Sequence, residues 1–280
     1  MAISIASGIL GTVTGGGGGT FTVPALVSTV NESPQVLVGS VFLMYLVSSV
    51  TGLFVYYRKG LVDLRAGMLL SIPAVPGVLL GTLLSTSISG VTFKVALGSL
   101  VVVLGLLMFL RPAGFGYEAP SAPRGSSHDS SLEEEDDGDE RRNSSSRRTL
   151  VDQSGRVFEY TPNFPVGMLA TFAAGILNGV FGAGASIIII PATILFVRLP
   201  GHVAIASTRI VLTSLNTTAL LAHIGTGLIN IYYAILLAIG AVIGSIIGAR
   251  IAFWASKTTL PKLIALVFLA IGIYLMISVA

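Results

Sequence analysis

The chain contains no cysteine. Disulfides and thiolate metal sites are therefore excluded, and the redox compartment leaves no mark on the sequence. Charge is scarce too: 10% of the 280 residues are Asp, Glu, Lys or Arg, and 53% are hydrophobic. A soluble domain of this size carries roughly 25% charged residues. Too few polar side chains remain to cover a water-facing surface, so lipid is the solvent for much of it. Carboxylates are rarest where the chain is most apolar. Of the 13 acidic residues only Glu32 and Asp63 lie outside 112–163, where ten basic residues stand. A proton relay through a buried Asp or Glu and a cation path lined by carboxylates are both poorly supported. The net positive field favours anions. Sodium coupling through backbone carbonyls, or uniport, stays open.

What is present is a set of long apolar runs. Val36–Tyr57, Ala66–Leu84, Val95–Leu110, Val203–Ala222, Ile231–Phe253 and Leu263–Val279 are each near the roughly 20 residues that span a hydrocarbon core as a helix. None alternates apolar and polar residues as a membrane β-barrel strand would. The N-terminus, MAISIASGIL, has no basic stretch ahead of its apolar residues, so a cleaved signal peptide is not expected.

The sequence repeats itself at an offset of 167 residues without a gap. Gly8-Ile9-Leu10 falls on Gly175-Ile176-Leu177, Gly15 and Gly17 on Gly182 and Gly184, and Pro24 on Pro191. Ser40 meets Ser207, Gly60-Leu61 meets Gly227-Leu228, Gly77 and Gly81 meet Gly244 and Gly248, and Gly105 meets Gly272. Composition alone would not hold glycines and a proline in one register along both halves. The chain thus divides into a first membrane repeat (1–111), a linker (112–163) and a second membrane repeat (164–280). The linker holds the acidic run Glu133–Glu140, then Arg141-Arg142 and Arg147-Arg148 among serines. It cannot bury enough apolar surface to offset its ordering entropy, which predicts disorder. A short hairpin over Val151–Phe158, turning at Ser154-Gly155, is the exception.

Each repeat reads as a Gly-interrupted leading segment followed by three full spans. Five consecutive glycines, Gly15–Gly19, oppose a continuous helix at roughly 1 kcal/mol each. The second segment is interrupted at Gly182–Ala185. Pro24 and Pro191 favour a fresh helix start or a kink. Each leading segment is thus predicted to be two short helices meeting at the glycines; if they form a hairpin, the chain returns to the side it entered from. Three further spans then place the second repeat upside down relative to the first. Basic residues provide an independent check, because short cytoplasmic loops are rich in Lys and Arg. The inverted arrangement puts Arg58, Lys59, Arg65, Arg111, Arg198, Arg250, Lys257 and Lys262 on or near one face, leaving only Lys94 for the other. The expected fold class is an all-α, polytopic helical membrane protein of the cell membrane, built from two inverted repeats. The linker would be cytoplasmic and both termini outside.

Broken helices within inverted repeats are the architecture of many secondary transporters. At a break, backbone N–H groups lose their intrahelical partners and the positive end of the helix dipole faces the gap. Lipid cannot satisfy those donors, whereas a small oxyanion accepts several at once. Glycine lets the ligand approach the backbone. The candidate substrate-binding residues are therefore Gly15, Gly16, Gly17, Gly18 and Gly19 with Gly182, Gly184 and Ser186. Ser40, Ser207 and Thr208 are polar candidates, as are Asn178, Asn216, Thr51 and Thr218, although interhelical hydrogen bonding is the commoner use of such side chains. Arg209 lies about eight residues past Pro200-Gly201, or roughly 12 Å into its span. It is either the fixed positive charge of an anion site or a side chain that snorkels or bonds carbonyls. His223 is read as interfacial. Gly77 with Gly81, and Gly244 with Gly248, are read as close helix packing through small residues.

Competing motifs fail. Gly18-Gly19-Thr20 lacks the lysine of a Walker loop, and a dinucleotide fingerprint needs a soluble β-α-β unit. No Gly-Xaa-Ser-Xaa-Gly elbow, His-Glu-Xaa-Xaa-His motif or buried carboxylate pair points to an enzyme.

Two stretches resemble the TauE/SafE (sulfite exporter) family of membrane permeases: Gly8–Gly19 leading to Pro24, and Gly175–Gly184 leading to Pro191. His202-Val203-Ala204-Ile205-Ala206-Ser207-Thr208 and Gly248-Ala249-Arg250 are similar too. The second cluster departs from the pattern at Ala183, Ala185 and Ser186. Gly39-Ser40-Val41 also stands where a Gly-Thr-Ser-like turn is usual. The resemblance implies export or uptake of small sulfur-containing anions, such as sulfite or organosulfonates, without a bound cofactor. The expected partners are a small anionic substrate and the lipid bilayer, with no nucleic acid; self-association stays open. The alternative is a non-transporting scaffold or assembly factor acting through the linker.

Overall fold

The computed structural model describes residues 2–14, 19–110, 148–151, 155, 157–160, 162–182, 185–252 and 259–277. Gly15, Gly16, Gly17, Gly18 and Gly184, and the linker from 112 to 147, lie outside them. The first repeat contributes α1 (Ala2–Thr14), α2 (Gly19–Thr29), α3 (Pro34–Arg58), α4 (Leu64–Ser87) and α5 (Gly90–Leu110). A hairpin of β1 (Arg148–Val151) and β2 (Val157–Tyr160) follows, with Val151 opposite Val157. The second repeat contributes α6 (Phe164–Phe181), α7 (Ala185–Leu195), α8 (Gly201–Gly225), α9 (Ile231–Ala252) and α10 (Thr259–Ile277). This is a polytopic helical membrane protein. Pro34–Arg58, Leu64–Ser87, Phe164–Phe181 and Val203–Gly225 are each long and apolar enough to cross a membrane. Gly90–Val103 and Ile231–Ile247 are shorter apolar stretches. Outward-facing side chains are large and apolar, with Leu169 69% exposed and Ile72 65%. Such a face is stable against lipid and not against water.

The repeat register survives as helix boundaries. α3 and α8 both run 25 residues, and each end of α8 falls one repeat offset beyond the same end of α3. Both are followed by a glycine in the left-handed region, Gly60 at φ 71° and Gly227 at φ 70°. A side chain there would be strained, which is why the pair stands out in the sequence.

Local signals set the ends of the helices. Pro34 opens α3, where its missing N–H costs nothing. The Asp63 side chain caps α4 by accepting from the Ala66 N–H at 2.9 Å. α6 closes at Gly182, whose N–H donates to the Asn178 carbonyl at 2.8 Å with φ at 60°. The prolines do not start the helices that follow the breaks. α2 begins at Gly19 and carries Pro24 inside it, and α7 begins at Ala185, ahead of Pro191. At the second break α6 ends at a glycine, Gly182, where left-handed backbone is free of strain.

Packing joins the halves through matching contacts. α4 lies on α6, and its repeat mate α9 lies on α1. Small residues permit both approaches, as their spacing predicts. A Cβ on Gly175 would stand 2.5 Å from the Ala74 carbonyl, and one on Gly8 would stand 2.6 Å from the Ala241 carbonyl. α3 and α8 are neighbours and antiparallel, because the start of each bonds the segment beyond the end of the other. The core between them holds Val38, Val41, Phe42, Ala74, Val78, Val211 and Leu215, all fully buried. α6 and α7 form a hairpin. The Asn163 N–H donates to the Val197 carbonyl at 3.1 Å, and Gly167 packs on Val197. The chain leaves α7 beside the point where it entered α6.

Candidate functional site

The described helix break is the tip of the α6–α7 hairpin. Left-handed Gly182 ends α6, and α7 opens at Ala185, with Ser186 in its first turn. A Cβ on Gly182 would meet Val38 at 2.8 Å and Val23 at 3.4 Å, so α2 and α3 close over this side of the tip. Thr22 is buried next to Val23 and bonds Tyr45 of α3. Next to it α4 approaches, with a Cβ on Gly179 standing 2.8 Å from the Thr82 N. Two polar groups here lack partners: Asn178 Nδ2 and Thr82 Oγ1 are buried without a hydrogen bond. The spelling of the sequence hides Thr82 among ordinary helix residues. Only its repeat mate, the apolar Ala249, signals that the hydroxyl is no part of the shared scaffold.

The remaining candidates divide between the two ends of the α3–α8 pair. At one end Ser40 Oγ donates to the Asn230 carbonyl at 3.1 Å and accepts from the Asn230 N–H at 2.9 Å. At the other, Ser207 Oγ accepts from the Asp63 N–H at 2.9 Å. Asp63 and Asn230 are themselves repeat mates, so these are two copies of one tether. Thr208 turns its hydroxyl back to the Ala204 carbonyl of its own helix at 2.5 Å. Both serines hold helix ends in place.

Arg209 is buried at the Ser207 end, packed along Gly52 with its guanidinium 5.9 Å from the Tyr56 ring. The equivalent position at the Ser40 end holds Phe42 against His223, their rings 5.1 Å apart. His223, in the last turn of α8, is fully buried within the protein, with Nδ1 2.9 Å from the Ala219 carbonyl. The loop beyond α8 folds over it, with the Leu228 carbonyl close to neighbouring Gly39. Along α3, Gly52 beside Arg209 and Val38 beside Gly182 are roughly 20 Å apart at 1.5 Å per residue. Arg209 and the α6–α7 tip are thus separate features.

At the Ser207 end the linker hairpin is docked. The Tyr160 hydroxyl donates to Asp63 Oδ2 at 2.7 Å, while Asp63 Oδ1 caps α4. Thr149, Leu150 and Tyr160 of the hairpin face Val62, Leu64 and Arg65 across a hollow. Among the described residues no group of three His, Cys, Asp or Glu could hold a metal ion.

Comparison with known proteins bears on this architecture. No solved structure matches the chain. A "Probable membrane transporter protein YunE" from Bacillus subtilis (strain 168) is 26% identical over 279 residues, covering 97% of this chain and 94% of the relative. A "Probable membrane transporter protein" from Xylella fastidiosa (strain Temecula1 / ATCC 700964) is 25% identical over 275 residues, covering 97% and 90%. The family described as "Sulfite exporter TauE/SafE" matches residues 1–275, nearly the whole length. With its apolar helices and closely packed small residues, the chain is a multi-pass membrane transporter and belongs to the sulfite exporter TauE/SafE family.

Proposed function

We propose that this protein carries small anions across the cell membrane, sulfur-containing oxyanions or organosulfonates in particular, and that it performs no catalytic step. In this reading the two repeats are inverted in the bilayer, and rocking of one against the other exposes a site alternately to each side. The observation that carries it is the exchange of contacts between repeat mates: α3 and α8 lie antiparallel with the same serine tether at each end. Two such arrangements of similar energy are what a symmetric exchange of accessible faces needs. The distribution of basic residues then puts the hairpin, Arg58 and Arg198 on the cytoplasmic side. Residues 112–163 form a separate linker between two membrane units.

The chemistry of the site supports an anion. Backbone N–H groups at a helix start, together with side-chain donors, suit a ligand that only accepts hydrogen bonds. The scarcity of carboxylates in both membrane repeats leaves no evident cage for a cation. Reconstitution in vesicles tests the proposal. Sulfite or a sulfonate should accumulate or leave down its gradient, and absence of flux for every oxyanion tried would end it. Deleting Pro120–Ser146 separates this reading from a scaffold acting through the linker: a transporter keeps its flux, and a linker-driven scaffold loses its activity.

A further inference from the structure

We infer that the substrate site lies at the α6–α7 tip alone, where Asn178 and Thr82 supply side-chain hydrogen bonds to a small oxyanion. The inference rests on the anion-transport reading and narrows it to one side of the pseudo-twofold. Three observations converge. The first is the helix interruption itself: α6 stops at left-handed Gly182, and α7 starts afresh at Ala185. Its first N–H groups have no intrahelical acceptor.

The second is the pair of unpartnered polar atoms. Asn178 is 3% exposed and Thr82 1%, yet Asn178 Nδ2 and Thr82 Oγ1 make no hydrogen bond. A buried group left so is costly and calls for a partner such as a bound ligand, ion or water. They belong to one neighbourhood: Gly179, next to Asn178, packs directly on the Thr82 N–H. Asn178 also stands one turn before Gly182, whose N–H it accepts, and residues four apart share a helix face. That face is the one Gly182 turns towards Val23 and Val38. An amide NH2 only donates, so its partner must be an acceptor. That donor itself cannot meet a metal or ammonium cation, whereas an oxyanion fits it and the Thr82 hydroxyl alike.

The third is asymmetry. The repeat mates of Asn178 and Thr82 are Gly11 and Ala249, neither with a polar side chain. Two identical scaffolds have therefore been furnished differently. The donors are also neutral, since Arg209 is roughly 20 Å away along α3. Neutral donors hold a dehydrated anion without an ion pair, so it can leave again as the site turns to the other side.

The experiment uses the full chain purified in detergent, unfolded thermally with sodium sulfite or with sodium chloride at equal ionic strength. Wild type should be raised in unfolding temperature by sulfite, since a ligand of the native state stabilises it. Thr82→Val and Asn178→Leu each remove an unpartnered polar group at similar volume. Each should unfold at or above the wild-type temperature without ligand, and bind sulfite about tenfold more weakly. Thr82→Ser, which keeps the hydroxyl, should retain the shift. Should Asn178→Leu fail to fold, the comparison of Thr82→Val with Thr82→Ser decides alone. A wild-type response retained in full by both variants overturns this inference and leaves the transport reading standing. So does ligand-free destabilisation by Thr82→Val that Thr82→Ser restores, with sulfite binding unchanged. No response of wild type to sulfite, sulfate or a sulfonate overturns both.

Discussion

The two ends of the α3–α8 pair share one geometry and differ in chemistry. At each, a serine near the start of one helix tethers the loop beyond the end of the other: Ser40 to Asn230, Ser207 to Asp63. Two residues further along, the Ser207 end holds a cation, Arg209, near Tyr56, where the Ser40 end packs Phe42 on His223. Outside the helices, Asp63 binds the linker hairpin through Tyr160. The lesson is that the shared register keeps the two backbones alike, while differing residues give one end a charge and a docked hairpin. A transporter with identical ends would have no built-in difference between its two sides.

Making the ends alike, one residue at a time, tests this. The largest effect should come from Gly39→Ala, which copies its mate Ala206. The new Cβ would lie on the Leu228 carbonyl, so overpacking should cost about 3 kcal/mol of unfolding free energy in detergent. An unchanged stability would mean that the Ser40 end accepts the side chain its mate carries, and that the two ends are packed alike. Tyr160→Phe should cost about 2 kcal/mol, because a buried hydroxyl–carboxylate bond is lost. Faster proteolysis at the hairpin would accompany it.

Arg209→Met should leave stability level or higher, since a buried charge gives way to an apolar chain of similar length. Its maximal sulfite flux should fall roughly tenfold, about 1.4 kcal/mol of barrier. The sulfite-induced thermal shift should stay, because the cation is remote from the α6–α7 tip. Loss of both together would place Arg209 in the binding site. The smallest effects should come from the tethers, with Ser207→Ala at about 1.5 kcal/mol and Ser40→Ala at about 1 kcal/mol. The order follows burial: the Ser207 bond is buried, and those of Ser40 only partly so. Equal unfolding midpoints for the two variants would remove that distinction.

Much of this fold can be read from residue spacing. The repeat offset predicts where α8 begins and ends from α3, because both must span the same bilayer with the same turn glycine. The breaks are legible too, since consecutive glycines oppose a helix and an αL residue ends one. Close packing of α4 on α6 follows from Gly77, Gly81, Gly175 and Gly179. Pro24 and Pro191 alone left a restart and a kink both open, and the helices restart ahead of them, at Gly19 and Ala185.

The candidate site was less legible. Ser40 and Ser207 were polar residues at matching positions, and only contact with Asn230 and Asp63 reveals them as tethers. Thr82 carried only the faint signal of an apolar repeat mate, Ala249. Its hydroxyl became conspicuous only when α6 was laid against α4 and no partner faced it.

By itself, then, the sequence determined the solvent, the duplication, the spans and the breaks. These follow from composition and periodicity, which act along the chain. Tertiary structure decided which polar groups are used up by the scaffold and which are left over, because hydrogen-bond satisfaction depends on neighbours that are distant in sequence. Asn178, Thr82, Arg209 and His223 acquired their meanings only there.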